Sequence, residues 1–226
     1  MVKPAGNNSL AQARCGATVN TWEPDIEAQK MYYRQQSRVD LNIDLQLLLS
    51  KLPADQRGSL WFHATDWQSA RGIIENGPSR RTMPSDFSNF AAFYLNDDYR
   101  DCYQRLLARN SVFRGCHAIV IFQFERDDAE IKSYALENEK EWQQLVFSCL
   151  NENQKKSTTR KSDCVYGYQC SNPENVRVKS STMETPKIRK TEYDENKAAN
   201  QLASITATMD AFLHKKVVGC VWFQCV

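Results

Sequence analysis

Two short apolar runs, each ending on a polar-tipped ring, bracket one helix between residues 60 and 95 (LWFHATDWQSARGIIENGPSRRTMPSDFSNFAAFYL). Leu60, Trp61 and Phe62 read as a strand, and the strand delivers His63. Asp66 or Thr65 is placed to cap the helix that follows. In that helix Ala70, Ile73 and Ile74 share a face at i, i+3 and i+4, and Asn76-Gly77-Pro78 stops it. A polar connection over 78–89 leads to residues 90–95 (FAAFYL), apolar enough for a buried strand, which delivers Tyr94. His63 and Tyr94 are therefore expected to face one cleft. A lone histidine is more often a satisfied core residue, and an aromatic in such a run is often core, so the rest of the chain has to decide.

Beyond this stretch the chain alternates short strands with a few helices. Residues 118–124 (AIVIFQF) form the best strand, apolar and rich in β-branched residues. Asn96 or Asp97 is expected to cap a helix with Tyr99, Cys102, Tyr103, Leu106 and Leu107 on one face. A second amphipathic helix spans 139–150, and residues 164–168 are a strand. Residues 201–205 read as a strand, 206–214 as a helix and 217–223 as a closing strand. There is no regular βαβ alternation, so the fold class is α+β. Residues 1–24 read as a polar tail and 25–57 as a helical lead-in, with alternation at Leu41, Ile43, Leu45 and Leu47 leaving a strand as a rival. The main domain is placed at 58–226. Within it, 171–199 is a polar insertion, and a loop of that length is usually functional or disordered.

The chain has 226 residues, a hydrophobic fraction of 42% and a formal net charge of +2. That charge is too small to argue for nucleic acid or an acidic membrane. The basic residues of 155–161 have no interleaved aromatics, so nucleic acid is not the expected partner. No run reaches the roughly 18 apolar residues of a membrane span, and the N-terminus lacks an apolar signal core. The eight cysteines include no C-x-x-C pair. Reduced, mostly buried thiols in a cytoplasmic protein are expected, without a structural metal. Phe223 stands fourth from the end, where prenylation needs a cysteine. No G-x-G-x-x-G, Walker A or G-x-S-x-G motif is present. Cys116 and His117 are adjacent on a predicted strand and point to opposite faces, so they do not make a nucleophilic pair.

Five segments in series resemble the ADP-ribosyltransferase fold. WFHATDWQSARGIIENG resembles its first motif, and SDFSNFAAFYLNDDYRDCYQRL is similar to its second strand and following helix. ENEKEWQQLVFSCL, SDCVYGYQCSNPENV and NQLASITATMDAFL resemble later segments of one branch of that fold. The resemblance covers about residues 58–214. It implies a split, two-sheet α+β fold with flanking helices and NAD in the cleft between the sheets. In the His-Tyr-Glu group, His63 would hold a ribose hydroxyl and the Ala64 backbone would pair with the nicotinamide amide. Tyr94 would pack on the nicotinamide ring, and Tyr103 would close its other side. Gln201 stands where the group has a carboxylate. The implied activity is mono-ADP-ribosyl transfer from NAD to an acceptor such as a protein, weakened by that exchange. The alternative is an inactive binding module on the same fold.

The chemistry suits these residue types. Breaking the nicotinamide–ribose bond builds oxocarbenium-like positive charge on the sugar. Aromatic faces hold a flat cationic ring, and a neutral imidazole both donates and accepts. A carboxylate near the developing cation favours the transition state over the ground state. Gln201 offers no charge, which is worth a few kcal/mol, or about 10²–10³-fold in rate. Three features depart from the group: Ala64 replaces a glycine, the second motif lacks its glycines, and no Q-x-E or E-x-E pattern surrounds Gln201. Glu192 and Glu195, upstream of Gln201, are the candidate replacement carboxylates.

Overall fold

In the computed structural model, residues 21–25, 30–35, 59–80, 84–89, 91–108, 116–151, 161–177 and 184–224 are described. They build two sheets. The larger has the order β1-β2-β9-β5-β3, formed by β1 (Thr21–Asp25), β2 (Lys30–Gln35), β9 (Val217–Gln224), β5 (Cys116–Gln123) and β3 (Leu60–Asp66). The smaller has the order β4-β8-β7-β6, from β4 (Phe93–Leu95), β8 (Asn200–Ser204), β7 (Cys164–Tyr168) and β6 (Ser133–Ala135). Helices α1 (Trp67–Asn76), α2 (Tyr99–Ala108), α3 (Glu139–Leu150), α4 (Pro173–Val176) and α5 (Ala207–Lys215) flank them. The architecture is α+β. None of the described helices is long and apolar enough to cross a membrane.

β5 is the spine of the larger sheet. Ala118 through Phe122 are all fully buried, the behaviour of a strand covered on both faces and the reason its sequence is a continuous apolar run. Ala118, Val120 and Phe122 share a core with Ala70 and Ile73 of α1 and with Met209 and Phe212 of α5. The same core takes in Phe93 and Leu95 of β4 and Leu202 of β8. One face of the small sheet therefore packs into the large sheet's core. Its other face packs on α3, through Trp142, Val146, Val165 and Ala203. Trp142 donates its indole N–H to the Tyr168 carbonyl at 2.7 Å, which satisfies the one polar atom of that buried ring.

The helix ends follow local chemistry. Asp66 caps α1 by accepting from the Ser69 N–H at 2.8 Å. Thr206 caps α5 and Asn138 caps α3 in the same way. For α2 the cap is Asp98, which accepts from the Asp101 N–H at 3.0 Å. The expected Asn96 sits two residues earlier and accepts from the Asp98 N–H at 2.8 Å, shaping the turn into the helix instead.

The N-terminal expectation is corrected. Residues 30–35 are a strand, not part of a helical lead-in over 25–57. β1 and β2 pair antiparallel, and β2 runs parallel to β9 with Met31 opposite Gly219. The aromatic-rich run Met31-Tyr32-Tyr33 satisfies an otherwise open edge of β9, and that ladder overrides the helix-like spacing of the charges. β1 also draws residues 21–24 of the expected tail into the sheet. Residues 1–20 and the alternation at 41–47 lie outside the described residues. The insertion expected at 171–199 is folded where it is described. It contains α4 and a bridge from Lys190 to Ala198, a second bridge ties its Ile188 to Cys170, and it buries Val176 and Thr191.

Gly77 ends α1 with φ 86° and ψ 175°, and its N–H donates to the Ile73 carbonyl at 2.9 Å. Only glycine visits that region at low cost. A Cβ there would stand 3.2 Å from Cβ and Cγ of His214. Gly77→Ala is expected to lower unfolding stability by about 1–3 kcal/mol, read as a lower midpoint in urea with an unchanged slope.

Candidate functional site

The cleft opens where the two sheets meet edge to edge. β3 is an edge of the large sheet and β4 an edge of the small one. Among the described residues they are joined by one backbone pair, Phe62 and Asn96, each donating its N–H to the other's carbonyl at 2.8 Å. Beyond that pair the strands part, because β3 stays paired to β5 as far as Asp66 while β4 follows β8. The gap between them is a cleft of about 760 Å³, within the range of small-molecule sites.

Four of the five residues singled out in the sequence line this cleft: His63, Ala64, Tyr94 and Gln201. His63 bridges the gap. Its Nδ1 lies 2.7 Å from the Tyr94 carbonyl. A carbonyl only accepts, so Nδ1 carries a proton and donates it there. The imidazole also stacks on Phe93, with centroids 4.2 Å apart. One edge of His63 is thus committed to the protein.

Tyr94 and His63 do not stand side by side. Successive strand residues face opposite ways. Phe93 and Leu95 enter the core shared with the large sheet, while Tyr94 packs towards α3 and Ala203. The cleft wraps the edge of β4, with His63 on one side and Tyr94 with Gln201 on the other. The Tyr94 hydroxyl donates to Ser85 Oγ at 2.6 Å and accepts from the Phe87 N–H at 3.1 Å. Burial first, and then the neighbouring Asp86 charge, hold the phenol well above its ordinary pKa. It is therefore a neutral ring that clamps the 85–88 turn.

That turn carries a residue the sequence did not flag. Asp86 lines the cleft, and its Oδ2 accepts from Gln201 Nε2 at 2.7 Å and from the Cys170 N–H at 2.8 Å. Burial pushes its carboxyl above the ordinary carboxylate range. The Cys170 N–H, the Gln201 amide and the charges of Arg105 and Arg177 pull the other way. A loop carboxylate thus stands one hydrogen bond away from Gln201 of β8. In the sequence Pro84-Ser85-Asp86 is indistinguishable from an ordinary turn. Its one signal was its place inside the segment that resembles a strand motif.

The other expected residues lie elsewhere. Tyr103 is buried at 3% exposure and is not part of the cleft wall; from α2 it is Cys102 and Arg105 that line it. The inward stripe of α2 takes Tyr103 into the core instead. Neither Glu192 nor Glu195 reaches the cleft wall. Glu192 pairs with Arg189 at 3.1 Å, and Glu195 is exposed.

A buried polar network supports one wall. Asp101, with no exposure, accepts from Asn96 Nδ2 at 2.7 Å, from the Glu192 N–H at 3.0 Å and from the Arg189 guanidinium. Arg189 also donates to Gln169 Oε1 at 2.9 Å, and Arg105 donates to the same oxygen at 2.7 Å. These bonds tie the 184–199 segment to α2 and β7. Among the described residues no three His, Cys, Asp or Glu side chains stand close enough to share a metal ion. What the cleft offers is an imidazole edge, a neutral phenol, a carboxylate–amide pair and a guanidinium. Such a set can hold sugar hydroxyls and tolerate a cationic centre.

No family model, curated protein or solved structure matches the chain. Arg189→Ala would leave the Asp101 carboxylate buried without its counter-charge, and breaking such a pair costs about 3–5 kcal/mol. A loss of that size is expected in urea unfolding at neutral pH.

Proposed function

We propose that this chain is an ADP-ribosyltransferase-like protein that takes NAD as substrate in the cleft between its two sheets. The observation that supports the reading most is that His63, Ala64, Tyr94 and Gln201, far apart in sequence, line one cleft. That cleft lies at the split between two sheets, as the resemblance implies. His63 would hold a ribose hydroxyl, and the backbone at Ala64 would meet the nicotinamide amide. In the transfer the nicotinamide–ribose bond breaks with its electron pair leaving on nicotinamide. The acceptor's nucleophile bonds to the same carbon and gives up its proton. A protein side chain is the expected acceptor class.

A second reading follows from one observation. β8 presents an amide, and that amide is already hydrogen-bonded to Asp86. A cleft that binds NAD without turnover would fit a binding module on the same fold.

Incubation with nicotinamide-labelled NAD separates the two. The transferase reading expects slow release of free nicotinamide, and His63→Ala should weaken NAD binding by about tenfold or more, the worth of one or two hydrogen bonds. Stoichiometric binding without release selects the module. No binding by calorimetry at millimolar NAD removes both.

A further inference from the structure

We infer that Asp86 is the charged residue of this cleft, the group that holds a sugar hydroxyl and faces the positive charge building on the sugar, with Gln201 as its positioning partner. The inference rests on the NAD reading above.

Two carboxylates stand near the cleft, Asp101 buried and Asp86 half-buried, and the protein treats them differently. Asp101 has both oxygens occupied and a guanidinium against it. It is saturated and serves the frame. Asp86 has its two hydrogen bonds on the same oxygen, Oδ2, from Gln201 Nε2 and the Cys170 N–H. Among the described residues Oδ1 accepts no hydrogen bond, and neither does Gln201 Oε1. One half of the pair is fixed by the protein and the other half is left as two acceptor oxygens in the cleft wall. A sugar's neighbouring hydroxyls offer two donors. The carboxylate would then sit beside the carbon that loses nicotinamide. Asp86 forms no bond there: the glycosidic electron pair leaves with nicotinamide, and the acceptor's proton goes to solvent.

The surroundings keep Asp86 poised. Arg105 and Arg177 act on it from α2 and from the end of α4, while Tyr94, Cys149 and Cys170 face it from β4, α3 and the β7 exit. Burial outweighs the cations, so the folded protein holds this proton more tightly than the unfolded chain does. Folding stability from this group therefore falls as pH rises through the window between the ordinary and the raised value. An asparagine oxygen can accept both bonds now made to Oδ2. Asp86→Asn should thus melt no lower than wild type at neutral pH, whereas a purely structural aspartate would lose stability. Costly burial of a charge that the fold does not need is the pattern expected at a functional site.

The test compares wild type, Asp86→Asn, Gln201→Glu and the double variant, reading NAD binding by calorimetry and nicotinamide release across pH. Asp86→Asn is expected to bind NAD within a few-fold of wild type and to lose turnover by about 10²–10³-fold. Wild-type release should decline on the acid side above the usual carboxylate range, and this limb should vanish in Asp86→Asn. Gln201→Glu alone should not exceed wild type, because two carboxylates at hydrogen-bond distance must share a proton. The double variant moves the charge to β8, and should recover turnover to within about tenfold of wild type. Wild-type turnover in Asp86→Asn, or a gain in Gln201→Glu alone, overturns the inference and leaves the NAD reading standing. So does a lowered melting temperature in Asp86→Asn with no recovery in the double variant. Wild type that binds NAD without turnover overturns the inference and keeps only the binding module. Wild type that does not bind NAD overturns both.

Discussion

The structure depends on a single backbone pair. Phe62 and Asn96 exchange two hydrogen bonds and join the edges of two sheets that share nothing else of their ladders. Trp61 of β3 and Phe93 and Leu95 of β4 meet Leu202 in one core. Past the pair the strands separate, each held by its own partner. Two edges left unpaired within a folded protein are normally a liability. Here the opening is lined, and the His63 imidazole reaches across it to the Tyr94 carbonyl. A side chain does at the next step what the backbone stops doing.

The division of labour between frame and site follows from this. Asp101 and Arg189 form a closed, saturated pair that fastens the 184–199 segment against α2. Asp86 sits in a turn held by the Tyr94 hydroxyl, the Cys170 N–H and the Gln201 amide. The two acids differ in what their oxygens have left to do. The first stabilises a long polar connection that would otherwise lack a core. The second costs stability at neutral pH, and the Tyr94 and Gln201 side chains are occupied in holding it in place.

Much of the fold was legible because its signals are local. The Ala70, Ile73 and Ile74 stripe, the Asp66 cap and the Gly77 stop define α1. The run at 118–124 reads as the best strand and falls in β5, and the amphipathic pattern of 139–150 matches α3. What was not legible depended on partners distant in sequence. Residues 30–35 carry helix-like charge spacing, yet the open edge of β9 makes them a strand. Tyr103 and Cys102 lie on one apolar stripe, and only packing decides that Cys102 lines the cleft while Tyr103 does not. His63, Ala64, Tyr94 and Gln201 were placed in one cleft by their motifs. Their arrangement on two sides of β4 needed the split, which no local pattern encodes. Asp86 was hidden because a turn aspartate has the same local signature whether or not it turns inward.

We propose that the gap between β3 and β4 takes a sugar bearing a cationic leaving group, with the charge supplied from the 85–88 turn. The most direct measurement is a crystal structure of the protein with a non-hydrolysable NAD analogue. The analogue is expected in the gap, with a ribose hydroxyl in hydrogen-bond distance of Asp86 Oδ1 and another beside the His63 ring. An analogue bound elsewhere, or an Asp86 that keeps both oxygens away from the ligand, would contradict it.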